Sequence, residues 1–111
     1  MKDEISIEDF VKLDLRVGEV VKAEEPVWSN KLVRLTVDLG EEIGERIILA
    51  GIKGEYEMDD LVGVRGVFVV NLAPKRMGEE ESQGMMLMSD TDEKPVPIDV
   101  GVGVAKGTVV R

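Results

Sequence analysis

The segment KLVRLTVDL, residues 31–39, decides the fold class of this 111-residue chain. Its apolar residues alternate with polar ones and share one face of an extended chain: Val33, Leu35, Val37 and Leu39. A period of two is typical of a strand with one face on a core and the other toward solvent. The segment therefore predicts a half-buried β-strand whose apolar face belongs to the core.

Four further short strands are predicted around this one, at residues 15–23, 46–50, 64–71 and 84–89. Gly18 inside the first of them indicates a bulge or a sharp bend. The only helix signal is a short turn at the N-terminus, where Ser6 stands three residues before Asp9, and Phe10 in that turn is expected to reach the core. Five short strands at this spacing predict an all-β small barrel, and the chain length fits the five-stranded OB-fold.

The remaining segments are predicted as connections. Residues 26–30, 40–45, 73–82 and 90–97 are expected to be loops, and residues 52–63 a loop with room for one helical turn. The Val/Gly-rich tail at residues 98–111 is a candidate for further short strands. The whole chain, residues 1–111, is predicted to be one domain, with a barrel core at about 14–90 and a C-terminal extension at 91–111.

Composition restricts the possible functions. The chain has no cysteine and no histidine, which excludes disulfides, thiolate metal sites and cysteine nucleophiles and removes the commonest general base. No apolar run approaches the ~20 residues of a membrane span, and no secretory leader is visible. We therefore expect a binding module rather than an enzyme, located in the cytoplasm, without a catalytic residue, metal or cofactor and without a membrane partner.

Charge is distributed in blocks along the sequence. Fourteen Lys and Arg against 23 Asp and Glu give a net charge of −9, which by itself disfavours nucleic acid. Residues 61–78 nevertheless carry three bases and no acid, whereas residues 79–93 carry six acids and no base. Because phosphates are contacted by local charge, a basic face remains possible on this acidic chain.

Several side chains are candidates for ligand contact. Lys75 and Arg76 lie in the charged loop before the fifth strand, and OB-fold rim loops flank the nucleic-acid-binding face. Trp28, between the first two strands, either stacks on a base or packs on the barrel end. Alternation in the fifth strand puts Met86 and Met88 opposite Met85, so that one face is expected in the core and an exposed Met85 would be a contact residue.

Five strings, in this order and spacing, resemble the tRNA-binding domain family: DFVKLDLRVGEVVKAE (9–24), NKLVRLTVDLG (30–40), AGIKGEY (50–56), LVGVRGVFVVNLAPKRMG (61–78) and ESQGMMLMSD (81–90). This OB-fold module is appended to methionyl-tRNA synthetases and also occurs as stand-alone dimeric tRNA-binding proteins. The resemblance extends over residues 5–111 and implies the same fold that the strand pattern predicts.

The resemblance implies a protein that grips the outer corner of tRNA by shape and phosphate contacts. It also implies a homodimer, with the N-terminal turn and residues 95–111 at the interface, and an aminoacyl-tRNA synthetase as a possible partner. The tRNA contacts that it implies are Lys31, Arg34, Lys75 and Arg76 to phosphates, Ser82 through a hydrogen bond, Met85 through an apolar contact, and Asn71 and Gln83. It assigns Asp14, Arg16, Val17 and Gly18 to the fold.

The sequence departs from the family pattern at two places. Residues 26–30 read PVWSN in place of a His-Pro-x-Ala-Asp-like stretch, and Gly78 occupies a usually basic position ahead of the acidic run Glu79–Glu81. Three acids there would repel phosphate. A related branch, similar to the bacterial chaperone CsaA, binds unfolded or preprotein polypeptide as a dimer. The acidic run favours that branch, whereas the retained sequence SQGM at 82–85 favours tRNA; an enzyme is the least favoured alternative.

Overall fold

The computed structural model describes all residues 1–111 and consists of short strands and two four-residue helices. In chain order the elements are α1 Ile7–Phe10, β1 Leu15–Glu24, β2 Val33–Asp38, β3 Glu45–Ala50, α2 Met58–Leu61, β4 Arg65–Val69, β5 Lys75–Met77, β6 Glu80–Ser82, β7 Met85–Met86, β8 Met88–Asp90, β9 Pro95–Pro97 and β10 Val109–Val110. Neither helix has the length or the apolar character that crossing a bilayer requires.

The main sheet has the antiparallel order β3-β2-β1-β4-β7, with β10 paired to the start of β1. The half-buried strand predicted at residues 31–39 forms β2, and its four alternating apolar residues are fully buried. They pack with Phe68 of β4 and Ile48 of β3 in one core cluster. The sheet curls into a nearly closed five-stranded barrel, which confirms the predicted all-β OB-like fold.

The long strand β1 is shared between two neighbours. Its first half pairs with β4 and its second half with β2, and the register shifts between Val20 and Lys22. The bulge is therefore at this point and not at Gly18, where the sequence placed a bulge or bend. Gly18 serves close packing instead, because a Cβ there would lie 2.7 Å from Leu39 Cδ2 and 2.9 Å from Phe68 Cδ1.

Side chains complete the seam between the two barrel edges. The backbone N–H of Gln83 donates to the Ile47 carbonyl at 2.8 Å, and the Gln83 Oε1 accepts from the Ile47 N–H at 2.9 Å. The Ser82 hydroxyl accepts from the Leu49 N–H at 3.0 Å. These bonds satisfy β3 backbone groups that would otherwise face a gap between strands.

Two predicted connections are partly strands, and one predicted strand is divided. Residues 73–82, expected to be a loop, form the β5–β6 hairpin, and β9 lies within the predicted loop at 90–97. The predicted fifth strand is divided at Leu87 into β7 and β8. The polar hairpin lacks the apolar alternation from which a strand can be recognised. The helical turn expected within residues 52–63 is α2, and β10 confirms that the tail adds a short strand.

The N-terminal turn forms as expected but lies outside the core. The Ser6 hydroxyl accepts from the Asp9 N–H at 3.3 Å at the start of α1. Phe10, expected in the core, is instead 37% exposed, and α1 has no buried residue. No residue of this turn belongs to the core cluster, and its apolar side chains lie on the surface.

The C-terminal tail is fastened to β1. The Gly107 N–H donates to the Val17 carbonyl at 2.7 Å, and the Val17 N–H donates to the Thr108 carbonyl at 2.9 Å. The Lys106 ammonium lies 2.9 Å from an Asp38 carboxylate oxygen. Residues of the predicted C-terminal extension therefore contribute directly to the main sheet.

Candidate nucleic-acid interface

A groove of about 440 Å³ separates the β1–β2 loop from the β5–β6 hairpin. It is lined by Trp28, Ser29, Asn30, Lys31, Leu32, Lys75, Arg76, Met77 and Gly78. Four of these residues were predicted as candidate contacts: Trp28, Lys31, Lys75 and Arg76. They come from two segments about 45 residues apart in the sequence. We call this cleft the basic groove.

Three cations of the basic groove carry unpaired charge. Lys31, Lys75 and Arg76 are exposed, and none of them belongs to an ion pair of the structure. The Arg76 Nε–H donates to the Gly78 carbonyl at 3.0 Å, which keeps the guanidinium beside the hairpin turn. Their charge is therefore available to an anionic ligand.

Arg34, the fourth predicted phosphate contact, is used within the chain. Its guanidinium forms a two-pronged ion pair with Glu80, including Nε to Oε1 at 2.8 Å, and lies 3.5 Å from Glu24. The two side chains of the main pair are only 22% and 28% exposed. The hydrogen bonds from Arg34 lower the pKa of the Glu80 carboxyl, so this acid is charged and neutralised by its partner at neutral pH.

Trp28 packs against the hairpin. A Cβ at Gly78 would lie 2.2 Å from Trp28 Cζ3 and 2.6 Å from Cε3, so the indole occupies the space that a side chain there would need. The indole N–H also donates to Glu80 Oε2 at 3.3 Å. Gly78 has φ +68°, in the left-handed region that favours glycine. The two departures from the family pattern, Trp28 and Gly78, are thus one packing arrangement.

Three further predicted contact residues hold the fold together. The Asn71 amide accepts from the Asp14 N–H at 2.8 Å and donates to the Lys12 carbonyl at 2.7 Å. Ser82 is 5% exposed and its hydroxyl also donates to the Gly84 carbonyl. Gln83 lies at the barrel seam described above. The hydroxyl of Ser82 and the amide oxygen of Gln83 are therefore already engaged within the chain.

Met85 is placed as the alternation in its strand predicts. It is 52% exposed, whereas its neighbour Met86 is buried. Met85 contributes to an apolar groove of about 370 Å³, together with residues of β3 and Pro95. This second groove offers apolar contact without any basic side chain, and it is lined by different residues from the basic groove.

The acidic residues around these grooves show no metal-binding arrangement. No group of three or more Asp and Glu side chains is placed to hold a metal ion. Glu79 and Glu81 of the hairpin are exposed and form no ion pair, in contrast with Glu80 between them. Of the three acids expected to repel phosphate, Glu80 is therefore neutralised by its ion pair, whereas Glu79 and Glu81 keep an uncompensated charge.

Comparison with known proteins agrees with this architecture. A family model described as "Putative tRNA binding domain" matches residues 15–108. The chain belongs to the tRNA-binding domain family. The expected resemblance is thereby confirmed.

Relatives of this tRNA-binding domain include synthetases and a chaperone. It is 46% identical to the methionine–tRNA ligase of Salinibacter ruber over 111 residues, covering the whole chain but only 15% of that ligase. The methionyl-tRNA-synthetase-related protein of Pyrococcus horikoshii superposes with a TM-score of 0.90 at 36% identity, over 99% of this chain and 100% of that one. The chaperone CsaA of Bacillus anthracis superposes with a TM-score of 0.86 at 33% identity, over 98% and 100% of the two chains.

Proposed function

We propose that the chain is a non-catalytic cytoplasmic protein that binds tRNA as a homodimer and assists a synthetase in aminoacylation. The observation that carries the proposal is the basic groove, where Lys31, Lys75 and Arg76 stand unpaired on a chain of net charge −9. Unpaired cations on an otherwise acidic surface define where a polyanion can approach. We propose these three cations as the phosphate contacts, and the face of the Trp28 indole turned away from Gly78 as the surface on which a base stacks.

The other predicted contact residues take supporting roles in this proposal. Asn71 holds the segment that precedes β1, whereas Ser82 and Gln83 hold the end of the hairpin against β3. Arg34 acts through its ion pair. Met85 supplies apolar contact at the neighbouring face. Recognition then rests on shape and phosphates, because few polar groups near the groove remain free to read base edges.

The homodimer is supported by exposed apolar side chains in both segments that the resemblance implicates. In the N-terminal turn, Ile7 and Val11 are 69% and 66% exposed. In the tail, Val102 and Val109 are 92% and 52% exposed. Two copies would present two basic grooves and add avidity toward one tRNA. Sedimentation equilibrium should give twice the 12.2 kDa mass of the chain, and a single-chain mass at micromolar concentration would contradict this part of the proposal.

Fluorescence anisotropy of labelled bulk tRNA, titrated at two salt concentrations, tests the binding. We expect affinity to fall steeply with salt, and Lys75→Glu to abolish most of it. Lys2→Glu makes the same charge change on an exposed residue of the N-terminal arm and is the matched control. Absence of binding at low salt, or equal losses in both variants, would contradict the proposed function.

A second candidate function, binding of unfolded polypeptide, is favoured by the apolar groove beside Met85 and by the net charge of −9. The structural similarity to the chaperone CsaA supports it. A labelled, permanently unfolded polypeptide distinguishes the two candidates. Binding that persists at high salt and weakens in Met85→Ser, but not in Lys75→Glu, would favour the chaperone alternative.

A further inference from the structure

We propose that Glu80 is a positioning residue that strengthens tRNA binding in spite of its negative charge, by holding the β5–β6 hairpin against the barrel through Arg34 and Trp28. We call these three residues together with Gly78 the latch. The inference rests on the proposed function, because it concerns how the basic groove keeps its shape. It assigns Arg34 to this positioning and not to direct phosphate contact.

Side-chain contacts hold the hairpin in position against the barrel. Its two strands pair only with one another and form a sheet separate from the main one. Its turn is joined to the barrel wall by the Arg34–Glu80 ion pair and by the indole of Trp28 resting on Gly78. The free cations Lys75 and Arg76 lie on the same hairpin, so the latch sets their separation from Lys31 across the groove.

The geometry within the hairpin links the latch to these cations. Glu80 is directly opposite Met77, and Glu81 is directly opposite Arg76. Opposed residues of an antiparallel pair project on the same face, and neighbours along a strand project on opposite faces. With Glu80 held toward Arg34, Arg76 and Glu81 project from the opposite face of the hairpin, and the bond from Arg76 Nε to the Gly78 carbonyl keeps its guanidinium beside the turn.

A comparison of Glu79 with Glu80 distinguishes the effect of the latch from that of negative charge alone. They carry the same charge and are adjacent, but Glu79 is exposed without a partner, whereas Glu80 has two. If charge alone mattered, neutralising either acid would strengthen tRNA binding by a similar factor. If the latch matters, the two neutral variants change affinity in opposite directions.

The test measures tRNA affinity by anisotropy for Glu80→Gln, with Glu79→Gln as the matched control. We expect Glu80→Gln to weaken binding at least threefold and Glu79→Gln to leave it unchanged or strengthen it. Arg34→Lys is the second variant, because it keeps the charge but loses the two-pronged geometry. It should weaken binding as Glu80→Gln does. Equal strengthening in both glutamine variants would overturn the inference, as would wild-type affinity in Arg34→Lys.

A readout without tRNA keeps this inference separate from the proposed function. Trp28 is the only tryptophan, so its emission reports the latch directly. We expect Glu80→Gln to raise acrylamide quenching of Trp28 and shift its emission to longer wavelength, with Glu79→Gln unchanged and both variants folded by circular dichroism. If the acrylamide quenching and emission wavelength of Trp28 are the same in Glu80→Gln as in the wild type, the latch is overturned. If the quenching and emission of Trp28 change in Glu80→Gln but the wild type does not bind tRNA, the proposed function is contradicted instead.

Discussion

The barrel and the β5–β6 hairpin are stabilised in opposite ways. The barrel buries apolar side chains such as Phe68 and Leu35 completely, and backbone pairing joins its strands from β3 through to β7. The hairpin buries only Ser82 and is attached by an ion pair, an indole and a few hydrogen bonds. Regions with few buried apolar contacts open most easily, and binding surfaces are often drawn from them. The scaffold and the proposed ligand contacts can therefore be perturbed separately.

The largest effect should come from the barrel alone. Phe68→Ala removes a fully buried ring from the centre of the core. We expect the free energy of unfolding to fall by about 3–5 kcal/mol, measured by urea denaturation. Val27→Ala, at a fully exposed position, is the control and should change little. A loss below about 1 kcal/mol for Phe68→Ala would show that the barrel is not the stabilising region.

An intermediate effect should come from the contact between the two regions. Gly78→Ala places a methyl 2.2 Å from the indole of Trp28 at a residue with φ +68°. We expect the indole to move, its emission to shift, and the free energy of unfolding to fall by about 1–3 kcal/mol. Gly44→Ala is the matched control, because Gly44 also has a positive φ, +79°, and nothing lies within 4 Å of a Cβ there. Identical spectra and stabilities for the two variants would contradict the packing described for Trp28.

A smaller loss of folding stability is expected when the pH is lowered, and it involves one carboxylate in each region. Hydrogen bonds from Lys106 and from the Gly40 N–H lower the pKa of Asp38 in the barrel, as Arg34 lowers that of Glu80 in the latch. Each carboxylate therefore contributes stability above its unfolded pKa of about 4, and this is lost as pH falls through the lower folded pKa.

The variant Asp38→Asn isolates the barrel contribution to this acid sensitivity. It should lower the free energy of unfolding at pH 7 and make its fall between pH ~5 and ~3 less steep, because the lost ion pair is already absent. Urea denaturation at several pH values measures both quantities. A curve that runs parallel to that of the wild type over this range would show that Asp38 does not contribute.

The smallest effect on stability should come from a free cation of the basic groove. Lys31→Gln should change the free energy of unfolding by no more than about 0.5 kcal/mol. The slope of log affinity for tRNA against log salt should nevertheless decrease in magnitude by about 1. Lys2→Gln should leave both quantities unchanged. An unaltered slope in Lys31→Gln would remove this residue from the proposed contacts.

The barrel could be predicted from the sequence because its signal is local. Alternation identifies β2 within a single segment, and its apolar residues are buried as expected. The hairpin could not be found in this way, since Lys75–Met77 and Glu80–Ser82 carry hardly any apolar residue. Phe10 lies outside the core cluster, because its burial depends on tertiary packing that a local apolar pattern does not report.

The sequence identified side chains that the structure brings together at one groove, but not the contacts that its other candidate residues make within the chain. Lys31, Lys75 and Arg76 do meet at one groove, as the rim-loop argument suggested. The ion pair between Arg34 and Glu80 joins residues 46 positions apart, and no local pattern records it. The one available signal was that Trp28 and Gly78 both depart from the family pattern, which is what two residues in contact would do.

The pairing of Leu15 with Val110 has a consequence for chain connectivity. The chain enters the barrel in β1 and leaves it in β10, and these two strands are adjacent and paired. The entry and exit points of the domain therefore lie next to each other. A circularly permuted form, with the two ends joined and a new opening at the exposed β8–β9 turn near Asp92, would keep every pairing of β1. A domain with this topology can be inserted into a larger polypeptide at a single surface point, with its own strand order intact.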